Sequence, residues 1–266
     1  MKKRLDILLY ERGMFESREK AKIAIMSGLI YTDNELLTKP GMKYDENINL
    51  YIKGEVFPYV SRGGLKLEKA IKEFKIYLRN KIMLDVGCST GGFTDVALQN
   101  NIKKVYALDV GTNCLDYKLR INDKVVTMEH TNFRYSKKED FKDEIDVVTF
   151  DVSFISLKLL LEPLSNIVKE KGEVIALIKP QFESTKEIAD IYKGVINNKE
   201  IHKKIVEDII KKFKKFEIFI QNLTYSPIKG KKGNIEFLGY FIYKGKEKEI
   251  DINKVINEAH DNLNTK

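Results

Sequence analysis

Short apolar runs separated by helical stretches dominate the chain between residues 80 and 180. Runs long enough for buried strands lie at residues 82–86, 104–108, 145–150 and 173–178. A helical pattern over residues 93–98 separates the first two runs, as a crossover helix separates parallel strands. This alternation predicts an α/β domain with a parallel, Rossmann-like sheet over residues 77–243.

The first 60 residues follow a different pattern, with shorter elements and basic positions among them. Two helices are predicted here, the second capped by Ser17 and ended by Gly28. The second helix shows the i, i+3, i+4, i+7 spacing of a buried stripe at Ala21, Ala24, Ile25 and Gly28. The apolar runs that follow, with a turn at Asp33–Asn34, predict a small hairpin-rich sheet. We therefore expect a separate small α+β domain over residues 1–60.

Two further segments complete the predicted organisation. Residues 61–76 predict a linker followed by a helix. The buried face of that helix comprises Leu67, Ala70, Ile71 and Phe74. Lys66 borders this face and by periodicity alone is a surface lysine with a packed stem, whereas Lys69 and Lys72 are predicted to point the opposite way. The charged segment over residues 244–266 is also predicted to be helical.

The charge balance of the chain favours a polyanionic partner. The 266 residues include 47 Lys and Arg against 39 Asp and Glu, a net charge of +8. Two cysteines, Cys88 and Cys114, are too few for the disulfide framework of an exported scaffold. No run approaches the roughly 18 apolar residues of a membrane helix, and the apolar run near the N-terminus is too short for a signal sequence. We therefore expect a soluble, cytoplasmic protein that does not act at a membrane.

A glycine-rich loop directly follows the first predicted strand. It has the spacing Gly-x-x-x-Gly-Gly over residues 87–92, and glycine permits a close backbone approach to a ligand. The next strand ends at Asp109, whose carboxylate is placed to accept both hydroxyls of a ribose. The spacing is not that of NAD sites, no Gly-Lys-Ser/Thr follows for a triphosphate, and Asp85 before the loop suits a cationic ligand. We therefore predict an S-adenosylmethionine site. Its candidate residues are Asp85, Gly87, Ser89, Gly91, Gly92, Phe93 and Asp109.

Charged residues stand at the carboxyl ends of the predicted strands. They are Asp85, Asp109, Asp151 and Lys179. In an open α/β sheet these ends share the edge at which ligands bind. Because Asp151 and Lys179 follow apolar strands, an unpaired charge at either position would be costly, although a merely structural ion pair between them also remains open. Glu236 lies in a strand predicted over residues 233–241. The pattern there fits a solvent-facing position for its carboxylate as well as a position in the site.

Small, basic and turn residues recur in a fixed order through the first domain. They are Arg4-Leu5-Asp6, Gly13, Ser17-Arg18, Ala21, Ile25, Gly28 and Lys39-Pro40-Gly41. This order resembles the S4-type RNA-binding domain. The resemblance implies RNA as the partner, held through its phosphates. The candidate contact residues are Arg4, Arg18, Lys20, Lys22 and Arg62.

Five short motifs follow one another along the second domain. They lie at residues 61–66, 84–94, 151–157, 179–183 and 233–236. Together they resemble the TlyA family, haemolysin-named ribosomal RNA methyltransferases with an FtsJ-like catalytic domain. The resemblance implies methylation of the ribose 2′-hydroxyl of a cytidine, with ribosomal RNA or ribosomal subunits as the partner. It also implies a catalytic tetrad of Lys66, Asp151, Lys179 and Glu236.

A ribose hydroxyl is a weak nucleophile, so the implied tetrad must include a group that removes its proton. Lys179 is the candidate base. The ammonium of Lys66 favours loss of the Lys179 proton and the nearby carboxylates disfavour it, and the sequence leaves open which effect prevails. Two other functions also stay open: a non-catalytic RNA-binding protein and a membrane-active haemolysin. Nothing in the sequence predicts a metal site or an obligate protein partner.

Overall fold

The computed structural model describes residues 1–26, 28–33, 35–53, 58–230 and 232–264. The chain forms two compact units, Met1–Arg62 and Gly63–Lys266. Each unit has its own hydrophobic core. The turn expected at Asp33–Asn34 includes Asn34, which lies outside the described residues.

The first unit combines two helices with two small antiparallel sheets. Its helices are α1 (Leu5–Glu11) and α2 (Arg18–Met26). Its strands are β1 (Lys2–Arg4), β2 (Ile30–Tyr31), β3 (Leu36–Leu37), β4 (Lys43–Asp45) and β5 (Tyr51–Ile52). β1 pairs with β4, and β2 lies between β3 and β5. This is the α+β unit that the sequence predicts.

Helix α2 begins and ends at the predicted signals. The Ser17 hydroxyl accepts a hydrogen bond from the Lys20 amide at 3.1 Å, which satisfies a free N–H of the first turn. Gly28 follows the helix with a φ of +73°, and its amide donates to the Ile25 carbonyl. Three members of the predicted stripe, Ala21, Ala24 and Ile25, are fully buried, whereas Gly28 is only partly buried. The three buried residues form part of the same core as the apolar face of α1.

A seven-stranded sheet lies at the centre of the second unit, as far as the chain is described. Its strands are β6 (Ile82–Val86), β7 (Lys104–Leu108), β8 (Val125–Met128), β9 (Ile145–Phe150), β10 (Val168–Ile178), β11 (Ile218–Tyr225) and β12 (Phe237–Tyr243). They lie in the order β8-β7-β6-β9-β10-β12-β11. The strands from β8 to β10 are parallel, whereas β12 is antiparallel to both of its neighbours. The winding changes direction between β6 and β9, where sheets of this kind bind ligands. The predicted Rossmann-like sheet is confirmed.

Helices cover this sheet and complete its core. They are α3 (Gly64–Phe74), α4 (Gly92–Gln99), α5 (Tyr117–Arg120), α6 (Leu161–Ile167), α7 (Pro180–Glu183), α8 (Lys186–Ile191), α9 (Lys199–Lys214) and α10 (Ile252–Asn264). α10 lies in the charged C-terminal segment and buries Ile256 and Ala259 in the core, so this segment is a packed element of the second unit. In the described part of the chain, no helix has the length and apolar character needed to cross a membrane.

The last strand of the sheet starts later than predicted. The pattern predicts a strand over residues 233–241, whereas β12 begins at Phe237. The preceding residues make other hydrogen bonds: the Gly230 amide donates to the Asn234 carbonyl at 2.9 Å. The side-chain oxygen of Asn234 accepts from the Ile196 amide, also at 2.9 Å. Glu236 therefore lies in the connection that leads into the strand, one residue before it.

Candidate functional site

The carboxyl ends of the parallel strands carry the predicted charged residues. Asp109 follows β7, Asp151 follows β9 and Lys179 follows β10. Because these strands are parallel, their carboxyl ends lie at one edge of the sheet. The Asp151 amide donates to the Val86 carbonyl at 3.1 Å, which joins the end of β9 to the end of β6.

Four side chains from distant parts of the sequence form one cluster of alternating charge at this edge. The Nζ of Lys179 lies 2.6 Å from Oδ1 of Asp151. The Nζ of Lys66 lies 3.4 Å from Oδ2 of Asp151 and 3.0 Å from Oε2 of Glu236. We refer to these four residues as the lysine cluster. The pairing of Lys179 with Asp151 agrees with both interpretations of the sequence, but the two further members distinguish the cluster from an isolated ion pair.

Helix α3 brings Lys66 into the cluster. The surroundings of Lys69 on the same helix differ from the prediction. The Lys66 side chain is only 10% exposed, and its ammonium contacts two carboxylates. The prediction that Lys69 points away from the core is wrong, because only 16% of its side chain is exposed. The Nζ of Lys69 lies 3.4 Å from the ring centroid of Tyr225 on β11 and 3.5 Å from the carboxylate of Glu73. Lys72 is exposed, as predicted.

The register of the sheet places Glu236. Phe237, the first residue of β12, is opposite Ile178, the last residue of β10. The next residue on each side is Glu236 and Lys179, so the antiparallel pairing leads both side chains to the same edge. Gly230 leaves room for this carboxylate, since a Cβ there would lie 2.7 Å from Oε1 of Glu236.

Burial and charge pairing act against each other in the lysine cluster. Burial lowers the pKa of Lys66, but the carboxylates of Asp151 and Glu236 outweigh it and raise that pKa above its ordinary value. Burial likewise raises the pKa of Asp151, but the two lysines outweigh it and lower that pKa. Both groups are therefore held in their charged forms at neutral pH.

Two residues that the sequence analysis did not single out support the lysine cluster. The Nζ of Lys179 donates to the Ser153 hydroxyl at 3.0 Å. The Gln181 amide donates to Oε1 of Glu236 at 3.3 Å. Each stands two residues from a predicted tetrad member, within a motif already recognised in the sequence. Proximity inside those motifs is the signal that could have found them.

Glu183 joins the segment after β10 to the segment after β9. It is buried at the end of α7, and its oxygens accept hydrogen bonds from the Ser156 hydroxyl at 2.5 Å and the Leu157 amide at 2.8 Å. Burial raises the pKa of this carboxyl. The contact holds the two segments that carry Lys179 and Asp151 together independently of their ion pair.

The loop after β6 has the backbone that its glycine spacing predicts. Gly87 and Gly91 have φ values of +81° and +93°, which side chains rarely adopt. A Cβ at Gly87 would lie 3.0 Å from the Asp151 carbonyl oxygen, and one at Gly91 would lie 2.3 Å from Leu119. Both positions therefore require glycine, and Gly87 brings the loop against the segment that carries the lysine cluster. Gly92 then begins α4.

Asp109 closes this loop from the end of β7. Its two oxygens accept amide hydrogen bonds from Ser89 at 2.9 Å and Gly111 at 2.8 Å. The residue stays partly exposed, and each carboxylate oxygen retains a lone pair that a ribose hydroxyl can use. A glycine loop beside an accessible carboxylate fits the adenosine part of S-adenosylmethionine.

Two of the predicted cofactor residues lie beneath the loop. Asp85 has no exposed surface, and its oxygens accept from the hydroxyls of Thr94 at 2.7 Å and Thr149 at 2.9 Å. Burial raises its pKa to about 6, although the two hydroxyls partly offset this. Phe93 is buried in α4. The expectation that Asp85 faces a cationic ligand is therefore corrected: its carboxylate is enclosed by threonines and holds the loop from below.

The predicted RNA-contact residues of the first unit have different surroundings. Arg4 and Arg18 both contact the carboxylate of Asp6, a residue with no exposed surface. The other candidates are exposed or partly exposed, namely Lys20, Lys22 and Arg62.

Comparisons with known proteins address both units. Residues 59–243 match a family model described as FtsJ-like methyltransferase, and residues 3–47 match one described as S4 domain. YqxC of Bacillus subtilis, whose name provisionally assigns it to rRNA methylation, is 47% identical over 100% of this chain and 96% of its own length. The 23S rRNA (cytidine-2′-O)-methyltransferase TlyA of Campylobacter jejuni is 39% identical over 78% of this chain and 77% of its own. A solved structure from Streptococcus thermophilus, provisionally named a hemolysin, has 44% identity and a TM-score of 0.79 over 99% of this chain and 98% of that one.

Proposed function

Because this chain belongs to the FtsJ-like methyltransferase family, we propose that it methylates the ribose 2′-hydroxyl of a cytidine in ribosomal RNA. Family membership confirms the prediction of a methyltransferase that uses S-adenosylmethionine, whose sulfonium carries the transferable methyl group. The acceptor is supported by the name of the Campylobacter jejuni relative, a cytidine-2′-O-methyltransferase of 23S rRNA.

The observation that carries the proposal is the lysine cluster beside the glycine loop. Gly87 of that loop packs against the backbone of Asp151, so a ligand held by the loop would lie next to the cluster. Transfer of a methyl group to a hydroxyl needs the two reactants in line and a group that accepts the hydroxyl proton. The cluster supplies lysines that can exchange a proton and carboxylates that orient them.

Within the cluster, Lys179 is the better candidate base. Lys66 lies between two carboxylates, which raise its pKa and keep it protonated. Lys179 contacts one carboxylate, which it shares with Lys66, and the neutral hydroxyl of Ser153. Loss of one proton leaves the cluster with one net negative charge, and a cationic methyl donor beside it offsets that charge. In this proposal the deprotonated Lys179 then accepts the proton of the 2′-hydroxyl, while Asp151 and Lys66 hold the Lys179 side chain in place.

An exposed aromatic side chain near the cluster supports a nucleotide as the acceptor. Phe154 follows Asp151 by three positions, is 91% exposed and has a φ of +63°, which is uncommon for an aromatic residue. Its ring centroid lies 5.0 Å from that of Phe182. Unstacked bases of RNA commonly pack on such rings. In this proposal Phe154 packs on the base of the nucleotide whose ribose is methylated.

The S4 domain supplies contacts to RNA outside the reacting nucleotide. We assign phosphate contacts to Arg4, Arg18, Lys20, Lys22 and Arg62. Ribosomal RNA, free or within ribosomal subunits, is the proposed partner, and a cytoplasmic location follows from that partner. No membrane is involved in this proposal.

Methyl transfer to defined RNAs tests the proposal. The purified full chain is incubated with tritiated S-adenosylmethionine and either unmodified ribosomal RNA or isolated ribosomal subunits, and the labelled nucleotide is mapped. We expect label in an alkali-resistant linkage, because a 2′-O-methyl group blocks hydrolysis at that ribose. Lys179→Ala should label the RNA far more slowly than the parent chain, whereas Lys72→Ala, which changes an exposed lysine on α3, should label it normally.

Other outcomes would replace the proposal. Label on a base instead of a ribose would overturn the assignment of the acceptor. Tight RNA binding without methyl transfer would favour a non-catalytic RNA-binding protein. Leakage of liposomes by the purified chain, without methyl transfer, would favour a membrane-active haemolysin.

A further inference from the structure

In the first unit, two arginines converge on one buried carboxylate. Asp6, the second residue of α1, has no exposed surface. Its oxygens accept hydrogen bonds from Nε and Nη2 of Arg4 at 2.9 and 3.0 Å and from Nη2 of Arg18 at 3.2 Å. The Ile7 amide donates to the same carboxylate at 3.1 Å. We refer to Arg4, Asp6 and Arg18 as the arginine cluster.

The arginines of this cluster remain open to solvent on their outer sides. Their side chains are 42% and 45% exposed, although the carboxylate between them is fully covered. A guanidinium has five N–H donors. Among the residues that the structure describes, Arg4 gives two of them to Asp6 and Arg18 gives one, so most donors of the pair are left for an outside acceptor.

Other contacts fix the position of Arg4. Its Cζ, Nη1 and Nη2 atoms would each lie 3.7 Å from a Cβ built on Gly41, so the plane of the guanidinium lies flat against that residue. The Asp6 amide donates to the Pro40 carbonyl at 3.1 Å. One edge of the guanidinium thus contacts Asp6 and one face lies against Gly41, while 42% of the side chain remains exposed. The order of residues in the sequence motif gives no hint of this arrangement beyond listing its members.

Two neighbouring guanidinium groups repel each other, and long side chains lose rotamer freedom when they bind. A carboxylate buried between them offsets the repulsion and fixes both side chains before a ligand arrives. Paired guanidinium groups with free donors match the geometry of a phosphate. The cluster therefore has the form of a preorganised phosphate site.

We propose that Asp6 is a positioning residue for RNA binding, which holds the guanidinium groups of Arg4 and Arg18 together so that both contact the RNA backbone. The inference rests on the proposed function of the S4 domain as an RNA-binding unit. It assigns to an acidic residue a favourable effect on the binding of a polyanion.

Replacement of Asp6 by asparagine gives opposite results under the two possible roles. Asp6→Asn removes one negative charge, so if charge alone mattered the variant would bind RNA more tightly and with a steeper salt dependence. If Asp6 positions the arginines, the full-length variant should bind purified ribosomal RNA at least about threefold more weakly. The slope of log affinity against log salt should flatten by about 0.7 to 0.9 for each lost phosphate contact. Filter binding over a series of salt concentrations measures both quantities.

A matched control removes the same charge at an exposed site. Glu19 lies in the first turn of α2 next to Arg18 and is exposed. Glu19→Gln should bind ribosomal RNA as tightly as the parent chain or slightly more tightly. A second variant, Arg4→Lys, keeps the charge but loses the two-nitrogen contact with Asp6, and it should weaken binding as Asp6→Asn does.

Two further measurements separate the possible failures. Affinity for S-adenosylmethionine and the thermal midpoint identify a misfolded Asp6→Asn protein, in which case Arg4→Lys decides the question. If Arg4→Ala combined with Arg18→Ala binds RNA normally, the proposed function of the S4 domain fails. If that double variant binds weakly while Asp6→Asn, or Arg4→Lys in its place, binds at least as tightly as the parent, only the positioning role of Asp6 is overturned.

Discussion

An aspartate lies between two cations in each unit of this protein, yet the two arrangements suit different tasks. In the first unit, Asp6 lies between Arg4 and Arg18. In the second, Asp151 lies between Lys66 and Lys179. In both, the cations lower the pKa of the central carboxyl, for Asp6 to about 2.

The difference lies in the type of cation and in its exposure. The arginines are almost half exposed, whereas the side chains of Lys66 and Lys179 are only 10% and 7% exposed. A guanidinium does not release its proton in proteins, whereas a lysine can. Accessible groups of fixed charge suit binding, and enclosed groups that exchange protons suit catalysis. Similar charge patterns therefore do not imply similar functions.

The largest expected effect comes from removal of the central pair of the lysine cluster. Lys179→Ala and Asp151→Ala should each slow 2′-O-methylation by about a hundredfold or more, because general-base assistance is lost. Lys66→Ala and Glu236→Ala should slow it as well. Affinities for cofactor and RNA should stay nearly unchanged. Single-turnover methylation of ribosomal RNA at saturating cofactor measures the chemical step.

Lys179→Arg sharpens this test, because it introduces into the second unit the kind of cation found in the first. It keeps the charge beside Asp151 but cannot accept a proton, so it should be as slow as Lys179→Ala. Lys72→Ala, on the exposed side of α3, is the control. A Lys179 variant with a near-normal rate would remove this lysine from the role of base.

A loss of RNA methylation on substitution of Phe154 would show that the second unit also takes part in RNA recognition. Loss of a base-stacking ring in Phe154→Ala should lower the efficiency of methylation by about tenfold. Cofactor affinity, measured by calorimetry, should not change. An equal loss in Tyr135→Ala, another exposed aromatic residue of the second unit, would argue against a specific stacking position.

The carboxylate of Asp109 differs from those of Asp6 and Asp151, because it does not lie between two cations in the described part of the chain. Its oxygens accept only amide hydrogen bonds among those described, so it keeps acceptor capacity for the cofactor ribose. Asp109→Ala should weaken S-adenosylmethionine binding by more than about tenfold, roughly 1.4 kcal/mol. Unchanged calorimetric affinity would remove Asp109 from the site.

The last expected effect concerns stability, and it contrasts Asp6 with Asp85. Both carboxyls are fully buried, but threonine hydroxyls surround Asp85, and burial raises its pKa from 3.8 to about 6. The Asp85 carboxyl therefore stays protonated to a higher pH in the folded chain than in the unfolded chain. Its contribution to stability falls as the pH rises from about 4 to about 6. Asp6, with its pKa lowered to about 2, contributes stability above pH 4 that is lost as the pH falls toward 2.

Denaturant unfolding at several pH values tests the Asp85 contribution. Between pH 4 and 6, the free energy of unfolding of the parent chain should fall relative to that of Asp85→Asn by up to roughly 1 kcal/mol per pH unit. A difference that stays constant over this range would show that Asp85 does not titrate there.

Sequence patterns predicted the centre of the fold better than its edges. The strands expected at residues 82–86, 104–108 and 145–150 have those bounds in the structure, because continuous apolar runs are typical of strands buried on both faces. Lys69 was assigned to the wrong environment because periodicity identifies one buried helix face but does not predict single contacts on the other, such as the one with Tyr225. Glu236 was placed inside a strand because hydrogen bonds of the preceding loop leave no trace in an apolar pattern.

Local sequence patterns predicted only part of the candidate site. The strand ends and the glycine loop follow from local sequence, and they brought Asp109, Asp151 and Lys179 to one edge. Lys66 contacts partners that are 85 and 170 residues away, a relation that no local pattern contains. Family resemblance supplied that link. Asp6 belongs to the Arg4-Leu5-Asp6 motif of the first domain, but the motif does not indicate its contacts with Arg4 and Arg18, since one acidic residue in the first turn of a helix is ordinary.

The position of β12 makes the assembly of the lysine cluster depend on a long-range strand pairing. This strand comes last in the sequence of the sheet but is inserted between β10 and β11, and Glu236 directly precedes it. A chain emerging from the ribosome can pair β6 to β10 long before this insertion, yet Lys66 has only one of its two carboxylates until β12 docks. Long-range pairings of this kind form late and slowly. A chain in which β12 has not yet paired with β10 therefore lacks the contact between Lys66 and Glu236 that completes the lysine cluster.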